Sequence, residues 1–429
     1  MRWLKPVDMS SPETRVLDGL RALAALLVVM YHFVDASRGH ITLFGRNADY
    51  LWVYGETGVH LFFILSGFLL FMPYVKAMRA GRPLPSIRRF YTRRALRILP
   101  AYFICLVLLV AVQYPALLAQ EGVTGLSADV ILHVLMLHNL SIAFNRTING
   151  PFWTLAIEWQ FYLVLPLIAW VIALFVGPTR STARIIYGVL GMIILALDAR
   201  VFDGVIETAV LPQLQETHAR MASIIDFAML LLTGVQGRFL EVFATGMLCS
   251  VIYIVCIERK PRWLSRQRAA ILSVSLLAVA LTLSHTMAGY AQALGNTVLS
   301  PYYSAIDPTS WLQISGSFLI GLGYAAFVLG VLFSGAWLHW MFEFVPLRYI
   351  GLWSYSLYMW HGPALYGALP GTPNLTIPER LVVGAVITYL SYQLVERPFL
   401  QIRKREVAPA TPKAAPAEPL AIEQIAARS

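Results

Sequence analysis

Arg21 and His32 lie in one apolar run, Leu17 to Val34, with ten residues between them. On an α-helix those eleven steps turn through about 1100°, so both side chains share a face, roughly 16 Å apart along the axis. Ionisable groups inside membrane segments are costly to keep and line cavities or pathways by default. The pair predicts a polar track along one helix, with a charge near one end and a proton-handling imidazole deep inside. Asp18, three residues before Arg21, can pair with it on the same face.

Other residues have chemistry to add. Arg94 and Arg97 form an i, i+3 pair at the head of a later apolar run. They read equally as a simple basic anchor with snorkelling side chains or, with Arg21, as a socket for phosphates. Glu158 follows Phe152-Trp153-Thr154-Leu155-Ala156-Ile157 at the start of another run. It reads either as a structurally paired buried carboxylate or as a group that orients a catalytic imidazole. His60 and His361 fit a satisfied structural role or a place on the track. Ser66-Gly67 permits close helix packing. Tyr358 and Trp153 sit beside these groups in sequence. No P-loop, dinucleotide fingerprint, metal motif or nucleophile elbow appears, so no metal ligand is nominated.

The elements that must position these groups are membrane spans. The chain has 429 residues, 58% hydrophobic and 13% charged, with a mean hydropathy of +0.65. That composition excludes an ordinary soluble domain and predicts one all-α polytopic membrane bundle. Apolar stretches long enough to span recur about ten times, near 17–35, 56–78, 94–115, 152–177, 183–199, 238–257, 268–284, 312–334, 347–368 and 376–395. The interrupted stretch 125–142, carrying Asp129, His133 and His138, reads as an interfacial or re-entrant helix. Cys105, Cys249 and Cys256 all fall in apolar runs and read as small buried hydrophobes. The first run, with its Arg and His, is not a signal peptide.

The net charge of +10 is distributed in alternate loops. Lys76, Arg79, Arg82, Arg88, Arg89 and Arg93 follow the second run, and Arg259, Lys260, Arg262, Arg266 and Arg268 follow the sixth. The loop from His285 to Trp311 has no Lys or Arg. The positive-inside rule then puts both termini in the cytoplasm and predicts an even number of spans. Nucleic acid is not an expected partner, because the basic residues are not interleaved with aromatics in a soluble segment. Residues 1–15 read as a cytoplasmic segment, 16–400 as the transmembrane domain, and 401–429 as a disordered cytoplasmic tail. The loop from Leu197 to Gly237 is the longest outside segment and reads as a small cap. On this topology Arg21, Arg94 and Arg97 share the cytoplasmic end, while His32, Glu158 and His361 share the outer half.

These segments resemble the acyltransferase-3 family of multispanning membrane O-acyltransferases. The resemblance rests on Leu17-Asp18-Gly19-Leu20-Arg21-Ala22 through Tyr31-His32-Phe33, and on Gly58-Val59 with Phe62-Phe63-Ile64-Leu65-Ser66-Gly67-Phe68. It continues through Arg93-Arg94-Ala95-Leu96-Arg97-Ile98-Leu99-Pro100, Trp153-Thr154-Leu155 with Glu158, Tyr355-Ser356-Leu357-Tyr358 with His361, and Glu396-Arg397-Pro398. Taken together, in order, these motifs cover about 14 to 400. The family's Arg-x10-His pattern falls on Arg21 and His32, its Arg-x-x-Arg pattern on Arg94 and Arg97, and its acidic position on Glu158. No fused extracytoplasmic hydrolase-like domain, as some members carry, is expected here.

The resemblance implies an enzyme in a bacterial inner membrane that transfers an acyl group from cytoplasmic acyl-CoA. Acetyl-CoA would serve as co-substrate, with no permanently bound cofactor. The acceptor would be a hydroxyl of a surface glycan, a lipid-linked saccharide or a macrolide. Arg21, Arg94 and Arg97 would then hold the CoA phosphates. His32 would act as a general base or carry the acyl group briefly, and Glu158 would orient it. Asp18, Ser66, Trp153, Tyr358 and His361 would support the site. Two other readings stay open: a proton-coupled transporter or exporter using the same track, and an acyl relay to a separate transferase.

Overall fold

Each of the ten expected apolar runs falls on a helix, and the helices pack as one bundle in a computed structural model. It describes residues 12–37, 42–43, 46–47, 54–206, 210–235, 237–259, 265–293, 311–334 and 336–405. In chain order the main helices are α1 (Pro12–Ser37), α2 (Gly58–Ala80), α3 (Ile87–Val134), α4 (Phe152–Val176) and α5 (Thr182–Val205). Two short helices follow, α6 (Leu211–Thr217) and α7 (Ala219–Thr233). The chain continues with α8 (Leu240–Arg259), α9 (Arg266–Ala293), α10 (Trp311–Ser334), α11 (Ala336–Glu343), α12 (Val345–Leu365), α13 (Ile377–Ser391) and α14 (Arg397–Arg405). A two-residue antiparallel ladder, β1 (Thr42–Leu43) with β2 (Arg46–Asn47), lies between α1 and α2.

Eight helices among the described residues are long and apolar enough to cross a membrane. Those carrying the ninth and tenth expected spans, α12 and α13, are not among them. The cause is visible in their residues. α12 carries Arg348, Ser354, Ser356 and His361, and α13 has only 15 residues before a π-helical turn, Tyr392–Glu396. The surface agrees with a bilayer as solvent. Leu163, Leu167, Val171 and Leu174 on α4 are exposed, as are Ile194 and Leu195 on α5. Apolar side chains pointing outward in such rows match lipid rather than water.

Several expected boundaries move. α3 begins at Ile87, so Arg88, Arg89 and Arg93 lie on its first turns rather than in a loop. Ser86 starts it by accepting the backbone N–H of Arg89 at 3.4 Å. The third span then breaks at Gly122, whose φ of 68° is tolerated there because glycine has no Cβ. The chain turns back along α3, so the re-entrant expectation describes the segment from 123 to Val134. Asp129 pairs with His133 and Thr147, while His138 joins them through its ring. His133 Nδ1 lies 2.9 Å from Asp129 Oδ1, and Thr147 donates to Asp129 Oδ2 at 2.7 Å. Tyr102 donates to the His133 carbonyl at 2.9 Å, and the His133 and His138 rings stack at 3.9 Å.

At the other boundaries, α14 continues to Arg405, into the segment expected to be tail, and residues 406–429 lie outside the described residues. α1 starts at Pro12, inside the expected N-terminal segment. The segment expected to form a cap carries the end of α5 and the short helices α6 and α7. Cys105 and Cys249 are buried and Cys256 is half-buried, all as free thiols.

The helices that matter for the site meet backbone to backbone. α1 packs on α12, and α2 packs on α8. A Cβ added at Gly351 would fall 1.9 Å from the Asp18 carbonyl oxygen, and one at Gly19 would fall 2.1 Å from that of Phe342. Gly67 approaches the Phe243 carbonyl in the same way, at 2.1 Å, so the Ser66-Gly67 step serves helix packing. Gly351→Val is therefore expected to push α12 away from α1, destabilising the bundle by at least about 1–3 kcal/mol. A fall in unfolding midpoint of the detergent-purified protein checks this; an unchanged midpoint would show that the contact is not close.

Candidate active site

Two cavities open along the inner face of α1, one at each end of the Arg21–His32 track. The first, about 330 Å³, is lined by Arg21 of α1, Ser66 of α2, Arg94 and Arg97 of α3, and Glu158 and Tyr162 of α4. The second, about 400 Å³, is lined by Tyr31 and His32 of α1, Gln113 of α3, Arg146, Trp153 of α4 and Tyr366. Val59 and Tyr358 line both, so they form the partition between the chambers. Tyr358 is held there by a 2.7 Å hydrogen bond with Thr154 and by an edge-on contact with Phe62 at 5.8 Å.

The arginine chamber gathers residues from five helices that sequence spacing alone cannot bring together. Arg21 is fixed by Asp18, at 3.1 Å, with Asp18 itself almost fully buried. Arg94 reaches over the Tyr162 ring at 5.8 Å. Among the described residues, no carboxylate lies within 4.0 Å of the Arg94 or Arg97 guanidinium. The chamber thus offers three cations against one lining carboxylate, and their forks suit phosphate oxygens.

Glu158 is placed differently from the expectation that it orients His32. Ser66 Oγ donates to its Oε1 at 2.6 Å, and the Tyr162 hydroxyl donates to the same oxygen. It belongs to the arginine chamber, on the far side of the partition from His32. The reason is the register of α4. Trp153 lines the histidine chamber, and Glu158, more than one turn further along, lines the next one down. Its charge is set against Arg94 and Arg97.

The His32 ring finds another partner. Its Nδ1 lies 2.9 Å from the Tyr366 hydroxyl, and that hydroxyl donates to Asp35 Oδ2. The His361 ring packs at 5.0 Å from that of His32, with its own Nδ1 donating to the Leu357 carbonyl at 3.1 Å. Arg146 stands over the Trp153 ring at 6.0 Å. His60, by contrast, lines neither cavity. It is buried, bonded through Nε2 to Ser317 at 2.9 Å, and packed edge-on against Phe239, the satisfied structural role.

The structure therefore brings Arg21, Arg94, Arg97, Glu158, Ser66 and Tyr358 around one chamber, and His32, Trp153 and Tyr358 around the next, with His361 packed on His32. Sequence reasoning did not single out Tyr366, Asp35, Arg146 or Gln113. Asp35 had a readable signal, three residues past His32 on the same helical face. Tyr366 and Arg146 lie at a helix end and in a loop, where no periodicity predicts direction.

The order of motifs can now be compared with known proteins. A profile of an acyltransferase domain, the acyltransferase-3 family, matches residues 15–396. The chain belongs to that family. OatA of Listeria monocytogenes, named a peptidoglycan O-acetyltransferase, is 24% identical over 400 residues, covering 89% of this chain and 55% of its own length. YrhL of Bacillus subtilis, provisionally named for the same reaction, is 26% identical over 404 residues, with 89% and 54% covered. The chain thus spans about half the length of these relatives. No solved structure matches it. The apolar helices and the family together make it an integral membrane protein of the acyltransferase type.

Proposed function

We propose that this protein is a membrane O-acetyltransferase that moves an acetyl group from acetyl-CoA to a hydroxyl of a cell-envelope saccharide. One observation carries this reading. An arginine-lined chamber and a histidine-lined chamber lie end to end, joined at Val59 and Tyr358. Arg21, Arg94 and Arg97 would hold the CoA diphosphate, and Glu158 would keep Ser66 and Tyr162 in place between them. The first chamber is too small for a whole CoA, so the adenosine would stay outside it, on the basic surface around Arg88, Arg89 and Arg93. The pantetheine arm would pass Tyr358 and present the thioester to His32.

The reaction balances with the groups at hand. His32 takes the proton of the acceptor hydroxyl as its oxygen bonds to the thioester carbon. The carbon–sulfur bond breaks, and the imidazolium returns the proton to the CoA sulfur. The second chamber suits the acceptor, with the faces of Tyr31, Trp153 and Tyr358 for a ring and Gln113, Asn149 and Arg146 for polar groups. The relatives' names support peptidoglycan as the first saccharide to test. The basic loops and a cytoplasmic pool of acetyl-CoA favour a bacterial inner membrane with the arginine chamber facing the cytoplasm.

Protein purified in detergent, given acetyl-labelled acetyl-CoA and a peptidoglycan-derived disaccharide, is expected to form an alkali-labile labelled ester on the sugar. Release of free acetate alone, or label crossing a vesicle membrane with no ester formed, would replace this reading with a hydrolase or a relay.

A further inference from the structure

Resting on the acyl-transfer reading above, we propose that Tyr366 and Asp35 are positioning residues that fix the tautomer of His32, leaving its Nε2 lone pair for the reacting hydroxyl. The expected partner, Glu158, lies in the other chamber and cannot do this. The hydrogen bonds themselves have a direction. Asp35 is a carboxylate and accepts, so the single phenolic proton of Tyr366 goes to Asp35 Oδ2. The Tyr366 oxygen then has only lone pairs to offer His32, 2.9 Å away. His32 must donate through Nδ1. In a neutral imidazole the other nitrogen, Nε2, is then the acceptor. That is the tautomer a general base needs, and an imidazole held by a further acceptor is the arrangement found in hydrolytic triads.

The fold builds this chain from two helix ends. Asp35 is three residues past His32, so it rises on the same face of α1. Tyr366 is the residue that caps α12, its backbone N–H turned back to the Gly362 carbonyl at 3.0 Å. The α1–α12 contact of Gly351 with the Asp18 backbone runs at the other end of the same helix pair, so the ring and the carboxylate meet at the mouth of the histidine chamber. Tyr366 is 48% exposed there. His361 does not compete for the place of Tyr366. Its Nδ1 is taken by the Leu357 carbonyl, and its ring meets His32 through a tilted contact at 5.0 Å.

The test is a double-mutant cycle on purified protein, read as kcat and KM for acetyl-CoA with the peptidoglycan-derived disaccharide as acceptor. Tyr366→Phe keeps the ring and removes the oxygen. It is expected to lower kcat about 10–100-fold, the size seen when a partner that orients an imidazole is lost, with KM for acetyl-CoA unchanged because the arginines lie in the other chamber. Asp35→Asn is expected to lower kcat as well, and Asp35→Glu to recover most of it. Because Asp35 acts only through Tyr366, the double variant should lose no more than Tyr366→Phe alone.

Losses that multiply in the double variant would mean two separate structural roles and would overturn the proposal. So would a Tyr366→Phe enzyme within twofold of the parent while His32→Ala is inactive. If His32→Ala itself turns over normally, the acyl-transfer reading of the histidine fails first, and that outcome is distinguishable from the other two.

Discussion

Replacing His32 with alanine is expected to lower acetyl transfer by about 10²–10⁴-fold, the span typical of a lost general base. Binding of acetyl-CoA should not change, because the arginines that would grip it are on the other side of Val59 and Tyr358. Membrane insertion should not change either. The His32 ring lines a cavity and is only half-buried, so its removal leaves no packed core void of the kind that destabilises. Normal turnover by a variant that binds acetyl-CoA would remove His32 from the chemistry altogether. Loss of binding together with turnover would mean that the ring shapes the bundle rather than serving the reaction.

Arg94→Ala combined with Arg97→Ala is expected to raise the apparent KM for acetyl-CoA about 100-fold or more while changing kcat far less. Each charge-assisted hydrogen bond to an anion is worth about 1.5–3 kcal/mol, and two such bonds suffice for that factor. The lysine pair should recover only part of it, because an ammonium cannot form the two-pronged contact of a guanidinium. The competing reading, in which the two arginines only anchor the helix at the membrane surface, makes a different forecast. It predicts poorer insertion with an unchanged KM in whatever protein reaches the membrane. Their place inside a chamber with Arg21, rather than on the lipid-facing side of α3, favours the first outcome.

Much of this arrangement was legible in residue spacing, and the reasons are physical. Arg21 and His32 share a helix, so the 3.6-residue period alone puts them on one face. Arg94 and Arg97 share another, and the pattern of basic loops gave all three cations one end of the bundle. The depth of Glu158 was harder. A count of residues from the outer surface set it level with His32, but along α4 Trp153 lines the histidine chamber and Glu158 the arginine chamber. Phe152, which opens α4, packs against Tyr102 and against His133 of the segment after Gly122. The carboxylate therefore comes to rest one chamber lower.

The polar interruptions at Asp129, His133 and His138 suggested an interfacial or re-entrant helix, without saying what they would touch. They form a buried cluster that meets Tyr102 on the first part of α3. Tyr366 was beyond reach for a different reason. It stands just past the end of α12, where the direction of a side chain depends on how the helix is capped and what it meets across the bundle. Arg146 lies in the loop before Pro151 and has the same difficulty. Spacing predicts what one helix presents; it does not predict what a loop folds over.

The most direct test is a cryo-EM structure of the purified protein with a non-hydrolysable acetyl-CoA analogue. The diphosphate is expected against Arg21, Arg94 and Arg97, with the acetyl carbonyl past Tyr358 and next to His32 Nε2. An analogue bound with its phosphates in the histidine chamber, or with its acetyl group left on the arginine side of Tyr358, would contradict the two-chamber path.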